Sequence, residues 1–256
     1  MFKRVASNQK TSIKKTSSED KKNVVIALNS NDFLFSQATI VCSVNLEPHS
    51  YKITPDTSKY VNQNGDCWSN ESLKANYQSF IGSYNYVNHV QEPEKSVGFI
   101  ADATLRRIFL DPENTKFIYY CDILIATNRG YEDLIRKILS DKIEFMSMGC
   151  EAMTTVCTKC GKVYQSDDDL LCECLMNSKG KTFVGADGKK RIVAEVLGDS
   201  KPGSCEFIEA SWLTEIPAFD GACKRNILQI PHNTSIEVEM PEEYFKKDAV
   251  QKYINK

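Results

Sequence analysis

Residues 97–126 read VGFIADATLRRIFLDPENTKFIYYCDILIA, and this stretch decides what kind of fold the rest of the chain joins. Both halves are rich in β-branched and aromatic side chains, which favour the pleated backbone. Between them stands Asp111-Pro112, a turn signal, because proline has no N–H to give to a ladder. The stretch therefore predicts two strands, Val97 to Leu110 and Lys116 to Ala126. Upstream, Val24 to Leu28 and Phe33 to Leu46 share the same bias, and Tyr84-Asn85-Tyr86-Val87-Asn88-His89 alternates polar with apolar as a half-buried strand does. Downstream, Lys142 to Ala152, Lys190 to Val196 and Glu206 to Leu213 read as strands, the last stopping short of Pro217. Helical spacing is confined to Leu73, Tyr77 and Phe80, with Ser69 or Asn70 as cap, and to Tyr131, Leu134, Ile135 and Ile138. The expectation is an α+β chain with more strand than helix.

The bulk numbers narrow the class. In 256 residues, 41% are hydrophobic and 26% charged, which suits one main domain with a substantial core and room for a small appendage. A formal charge of -2 and a pI near 6.0 give no global attraction to nucleic acid or to an anionic membrane. The apolar run Phe117 to Ala126 is broken by Asp122 and falls far short of the roughly 20 residues a membrane-spanning helix requires. Residues 1–22 carry many Lys, Ser and Thr without the apolar centre of a secretory signal, so export is not indicated and a flexible tail is expected there. Residues 231–256 are polar and acidic around Glu237, Glu239, Glu242 and Glu243, and read as a second tail with a helix allowed from Pro241. No glycine signature of a phosphate or dinucleotide site occurs.

Ten cysteines without a signal peptide argue for metal rather than disulfides, because four of them fall within 18 residues. Cys157-Thr-Lys-Cys160 precedes Cys172-Glu-Cys174, and Gly161 follows the first pair. Two such pairs on turns can bring four thiolates into the tetrahedron zinc prefers, at Zn–S distances of roughly 2.3 Å. Four protein ligands leave no open position, so a zinc ion here is structural. The one-residue gap in the second pair is less usual, and four unrelated thiols are the plain alternative. Cys42, Cys67, Cys121, Cys150, Cys205 and Cys223 are scattered and suit small core positions.

Only three histidines exist, His49, His89 and His232, which makes each informative, since a serine or cysteine nucleophile most often uses imidazole as its base. His49 and His232 each follow a proline in polar stretches. His89 ends an aromatic strand. Ser147 sits in Phe145-Met146-Ser147-Met148-Gly149-Cys150, a small hydroxyl between bulky side chains with a glycine two residues on. On residue type alone, Ser147 is more often a hydrogen-bonded strand residue and His89 more often a satisfied core histidine.

The order of four blocks adds to this. Asn64-Gly65-Asp66 precedes a helix ending in Phe80; Tyr86-Val87-Asn88-His89 is followed by Val97-Gly98; Ser147-Met148-Gly149 comes next; Phe207-Ile208-Glu209-Ala210-Ser211-Trp212 leads to Pro217-Ala218. From about residue 60 to 228 this pattern resembles the phage prohead (capsid maturation) serine proteases, which share a fold with herpesvirus assemblins. The resemblance implies an assemblin-like β-barrel core with flanking helices over residues 23–230, with the cysteine loop at 155–180 as an insertion. It implies Ser147 as nucleophile, His89 as base and Glu209 as the third member. It further implies cleavage of viral scaffold and major capsid proteins inside the immature capsid in the host cytoplasm, a homo-oligomer as a possible state, and self-processing, for which the acidic region near Glu239 is a candidate. No membrane or direct nucleic-acid partner is expected. Two other classes remain open: a catalytically silent capsid or scaffold component, and a zinc-ribbon nucleic-acid module. Asp167-Asp168-Asp169 and Glu173 in the loop weigh against the last, because they repel phosphate.

Overall fold

A computed structural model describes residues 3–5, 13–18, 21–165 and 169–254. In chain order, its strands begin with β1 (Lys3–Val5), β2 (Ile13–Ser18), β3 (Lys21–Asn29), β4 (Phe33–Val44), β5 (Asp66–Ser69) and β6 (Tyr84–Val87). They continue with β7 (Gly98–Phe109), β8 (Phe117–Asn128), β9 (Phe145–Ala152), β10 (Thr155–Cys157), β11 (Val163–Tyr164) and β12 (Thr182–Val184). The last are β13 (Lys190–Ile192), β14 (Glu195–Leu197), β15 (Cys205–Leu213), β16 (Lys224–Ile227) and β17 (Ser235–Pro241). The helices are α1 (Asn70–Asn76), α2 (Glu132–Leu139), α3 (Glu173–Ser178), α4 (Glu242–Phe245) and α5 (Asp248–Ile254). Among the described residues none is long and apolar enough to cross a membrane.

The long hairpin expected from residues 97–126 is the spine of the molecule. β7 and β8 pair antiparallel from Gly98↔Thr127 to Phe109↔Phe117, and β8 pairs with β4 on its other side. The main sheet runs β11-β10-β14-β5-β4-β8-β7-β6-β15-β9, with β16 added to β4, and it curls into a half-barrel. Residues 218–227 stitch the curl. The Met146 N–H donates to Ala222 O at 2.9 Å, the Ala218 N–H to Met146 O at 3.0 Å and the Thr39 N–H to Cys223 O at 3.0 Å, so the start of β9 is drawn toward β4. Inside the curl Phe80 stacks on Phe207 with ring centroids 4.1 Å apart, Trp68 packs on Phe207, and Trp212 is fully buried. Ser69 is the residue that caps α1, accepting from the Ser72 N–H at 3.1 Å. Asn70, the alternative cap, instead donates to Phe117 O at 3.0 Å.

Both chain ends depart from the expected tails. β1 and β2 lie on the outer edges of a four-stranded sheet ordered β1-β17-β3-β2. Backbone pairing needs no apolar side chain, so a Lys- and Thr-rich segment can join an edge that a hydrophobicity argument would deny it. Lys21 and Lys22 open β3, and the remaining residues of 1–22 lie outside the described residues. At the other end the residues expected as a polar tail form β17, α4 and α5. β17 alternates, burying Ile236, Val238 and Met240, while α5 buries Ala249, Val250, Tyr253 and Ile254. The acidic residues that made this region look soluble are the outward half of those patterns. Tyr253 packs against Phe33 and Phe99 and shares a hydrogen bond with Ser96 at 3.1 Å. Glu239 is thereby paired with Val25 inside a sheet rather than offered on a loop.

Met240 is fully buried although it stands in a segment whose composition reads as a tail. Met240→Ala should destabilise the protein by about 2–5 kcal/mol, read as a lower midpoint in urea denaturation; a free tail would leave the midpoint unmoved.

Candidate active site and metal centre

Two backbone irregularities assemble the site. The first is a β-bulge in β15. In the register with β9, Phe207 pairs with Cys150 but Glu209 pairs with Gly149, leaving Ile208 without an opposite residue. Alternation from the buried Phe207 would turn Glu209 toward the core; the extra residue reverses the phase. Glu209 and Ser211 consequently share the face of Gly149 and Ser147, while Ala210 and Trp212 return to the core beside Met148 and Met146.

The second irregularity follows β6, which pairs in parallel with β15. Asn88 and His89 both hold positive φ, 51° and 55°, and the Val90 N–H donates to Val87 O at 3.3 Å. This is the pattern of a type I′ turn, and asparagine and histidine are among the side chains that enter the left-handed region most readily. The turn is tied to the end of β15. The Asn88 N–H donates to Trp212 O at 2.9 Å, and Asn88 Oδ1 accepts from the Thr214 N–H at 3.2 Å. His89 thus stands on a pinned turn outside the strand, not in the core, with 39% of its side chain exposed.

His89 Nδ1 lies 2.7 Å from Glu209 Oε1, and Glu209 is only 1% exposed. The other carboxylate oxygen, Oε2, accepts from Ser211 Oγ at 2.6 Å, and that hydroxyl in turn accepts from the His89 backbone N–H at 3.3 Å. Gln91 Nε2 approaches Oε1 at 3.5 Å. The hydrogen bond from Glu209 is the main reason the His89 imidazole titrates above its ordinary 6.5; burial works in the opposite direction and the Glu209 charge adds to the rise. Gly149 makes room for this arrangement. A methyl group there would stand 3.0 Å from both Glu209 Oε1 and Gln91 Nε2, so any larger residue presses on the carboxylate that holds the imidazole.

Of the residues expected to act together, His89 and Glu209 are in direct contact. Ser147 is placed beside them. It is the register partner of Ser211, on the neighbouring strand and the same face. No hydrogen bond joins its hydroxyl to His89 among the described residues. His49 sits in the Glu47–Ser50 turn and His232 lies beside Asn31, both away from this face. Ser211 and Gln91 were not singled out in the sequence. Ser211 had a signal: two residues after Glu209 on one strand, it must share that side chain's face.

The four cysteines of the loop do converge. The sulfurs of Cys157, Cys160, Cys172 and Cys174 all lie within 4.8 Å of one another. A tetrahedron with metal–sulfur bonds of roughly 2.3 Å has sulfur–sulfur edges of about 3.8 Å, so the cluster can close on an ion by small movements. The first pair sits on a tight turn in which the Gly161 N–H donates to Cys157 O at 2.9 Å and Gly161 holds φ 74°. Cys172 begins α3, and its N–H donates to the Tyr164 hydroxyl at 2.8 Å. Burial pushes the Cys157 thiol up to about 12. Burial also opposes ionisation of Cys172, yet the Tyr164 hydroxyl, the Leu175 amide and the neighbouring thiols bring it down to about 6. Four converging sulfur donors are a set that a cation completes. Of the acidic residues noted in this loop, Asp167 and Asp168 lie outside the described residues.

The loop is not an isolated appendage. β10 and β14 extend the main sheet, with Glu195↔Asp66 and Val196↔Cys67 pairing β14 to β5 in parallel. Lys179 bridges Asp66 at 2.6 Å and Glu195 at 2.7 Å, and the buried Arg191 reaches Glu47 and Asp187.

Compared with protein-family models, with curated proteins and with solved structures, the chain matches none.

Two measurements check this geometry without any assay of activity. By NMR, His89 should titrate with a midpoint above 6.5, and Glu209→Gln should bring the midpoint down, because removing the carboxylate leaves only the lowering effect of burial; an unchanged midpoint would contradict the contact. Elemental analysis of purified protein should find about one equivalent of bound metal, lost when Cys157 and Cys160 are both changed to serine.

Proposed function

We propose that this chain is a serine endopeptidase of the prohead-maturation type, with Ser147 as nucleophile, His89 as base and Glu209 as the group that orients the base. The observation that carries the reading is the 2.7 Å contact between His89 Nδ1 and a nearly fully buried Glu209 carboxylate. A carboxylate on Nδ1 holds the proton there and leaves Nε2 as the basic nitrogen. Nε2 is the atom that must face the hydroxyl, and Ser147 stands on the adjoining strand of the same face.

The chemistry follows from that tautomer. Ser147 Oγ attacks a peptide carbonyl carbon while His89 Nε2 accepts the hydroxyl proton, and the resulting imidazolium is stabilised by Glu209. Collapse of the tetrahedral intermediate breaks the C–N bond, with Nε2–H delivering its proton to the leaving amine. Water then enters by the same route in reverse, with His89 again as base, and releases the acid product. Ser211 serves as a positioning residue: it fixes the second carboxylate oxygen and the His89 backbone together, so the imidazole and its orienting group move as one. The ion in the four-cysteine cluster is zinc in this reading and structural, since all four positions of a tetrahedron are taken by thiolates.

The resemblance of the four ordered blocks to prohead proteases gives the substrate class: scaffold and major capsid proteins, cleaved inside the immature capsid in the host cytoplasm. The silent-relative reading is disfavoured by the His89–Glu209 contact, since a buried carboxylate aimed at an exposed imidazole is costly to keep for structure alone.

Co-expression with the scaffold and major capsid proteins tests the reading. The wild-type chain should process both; Ser147→Ala and His89→Ala should abolish processing, and Glu209→Gln should slow it by two or more orders of magnitude. Because neutral His89 is the working form and its pKa is raised, activity should climb with pH through a midpoint above 6.5. Undiminished cleavage by Ser147→Ala would end the proposal.

A further inference from the structure

The sequence presents the cysteine loop as an insertion with a structural metal, and its placement beyond β9 suggests a second use. β9 is the last strand of the main sheet, paired with β15 on one edge. Its other edge is stitched only as far as Met146; from Ser147 to Glu151 no described residue gives that edge a backbone partner. A strand edge with unpaired N–H and C=O groups is a template for another extended chain. A cleft of about 360 Å³ lies along this edge, bounded by Met148, Gly149 and Cys150 on one side and Asn62, Asn64 and Asp66 on the other. It shares Ala152 and Thr155 with a second cleft of about 460 Å³, whose walls include Met153, Tyr164 and Leu171. The two clefts thus adjoin at Ala152 and Thr155, between the nucleophile strand and the four-cysteine cluster.

The far end of these clefts is open, and among its polar walls, Gln165, Asp169 and Glu195, it carries exposed apolar side chains. Met153 is 74% exposed and Leu171 46%, and Val163, Leu170 and Met176 of the same module are exposed as well. Exposed apolar side chains gathered on one small module mark a surface that something covers. The walls are also held firmly: Leu171 precedes ligand Cys172, and the Tyr164 hydroxyl accepts from the Cys172 N–H.

We propose that the metal knot is the distal wall of the substrate cleft, and that an extended segment of the substrate polypeptide lies along the free edge of β9 and places an apolar side chain between Met153 and Leu171. This rests on the peptidase reading above and adds to it a substrate requirement remote from the scissile bond. Met153 follows Ser147 by six residues, and at roughly 3.3 Å per residue the path from the nucleophile spans about 20 Å. The apolar side chain therefore belongs about six residues from the bond that is cut.

The test is a degenerate decapeptide library digested by the full-length protein and profiled by mass spectrometry. The proposal expects Leu, Ile, Met or Phe to be enriched several-fold at about the sixth position on one side of the scissile bond. That enrichment should fall to background in Met153→Ser and in Leu171→Ser, two exposed and separately placed substitutions, measured relative to the preferences next to the cut in the same digest. No distal enrichment, or enrichment that survives both substitutions, would overturn the proposal while leaving the peptidase reading intact. Failure to cleave any peptide would remove the peptidase reading and the proposal with it. A change of oligomeric state in both variants by light scattering, with distal preference intact, would reassign the surface to self-association.

Discussion

A carboxylate buried to 1% exposure must be compensated, and the way Glu209 is compensated organises everything around it. A buried polar group is costly unless hydrogen-bond partners replace the water it has lost. Glu209 is supplied by the His89 ring on one oxygen and the Ser211 hydroxyl on the other, with Gln91 nearby. Each supplier comes from a segment that must be shaped to deliver it. His89 and Gln91 need the left-handed turn after β6, Ser211 needs the bulge in β15, and the carboxylate itself needs Gly149 opposite. Because each of these contacts needs the others in place, the arrangement packs as one unit.

The bulge links this unit to the core. Because β15 switches phase at Ile208, one strand can send Phe207 into the stack with Phe80 and Trp68 and, two residues later, send Glu209 to the opposite face. A regular strand would force a choice between the two. The same economy appears at β9, whose Met146 and Met148 are buried while Ser147 and Gly149 face outward beside Glu209 and Ser211. The candidate active face is thus the reverse side of the best-packed part of the sheet. Side chains on such a sheet have little freedom to drift, which is what a geometry-dependent reaction asks of its scaffold.

How much of this was legible in the sequence follows from what each feature depends on. The strands at 97–126, the helix before Phe80 and the convergence of Cys157, Cys160, Cys172 and Cys174 depend on local composition and spacing, and these were readable. His89 and Glu209 were named, but through an ordered resemblance rather than through anything in their neighbours. The inward or outward direction of Glu209 is set by one unopposed residue, and a bulge leaves no mark in composition. The turn at Asn88 and His89 is similar: residue type permits positive φ there without requiring it. The two ends of the chain show the converse. Glu237, Glu239 and Glu242 gave the region a tail's charge, while Ile236, Val238 and Met240 spaced two apart carried the strand, and the periodicity was the better guide.

The cysteine module shows two kinds of attachment with different physics. Within the module, the four sulfurs, Tyr164, Leu175 and Val193 make a cluster too small to hold its own backbone by burial, and a bound ion is the natural source of the missing cohesion. Between module and body the attachment is independent of any metal: β14 pairs with β5, Lys179 spans Asp66 and Glu195, and buried Arg191 is neutralised by Glu47 and Asp187. Asp66 belongs to the loop and strand that face Gly149 across the cleft, so the ionic anchor sits at the mouth of the same opening. The module is therefore fixed where it meets the face of Gly149 and depends on its cysteines only farther out. An element built that way can present a shaped outer surface along the path to Ser147 without its own folding disturbing the position of His89 and Glu209.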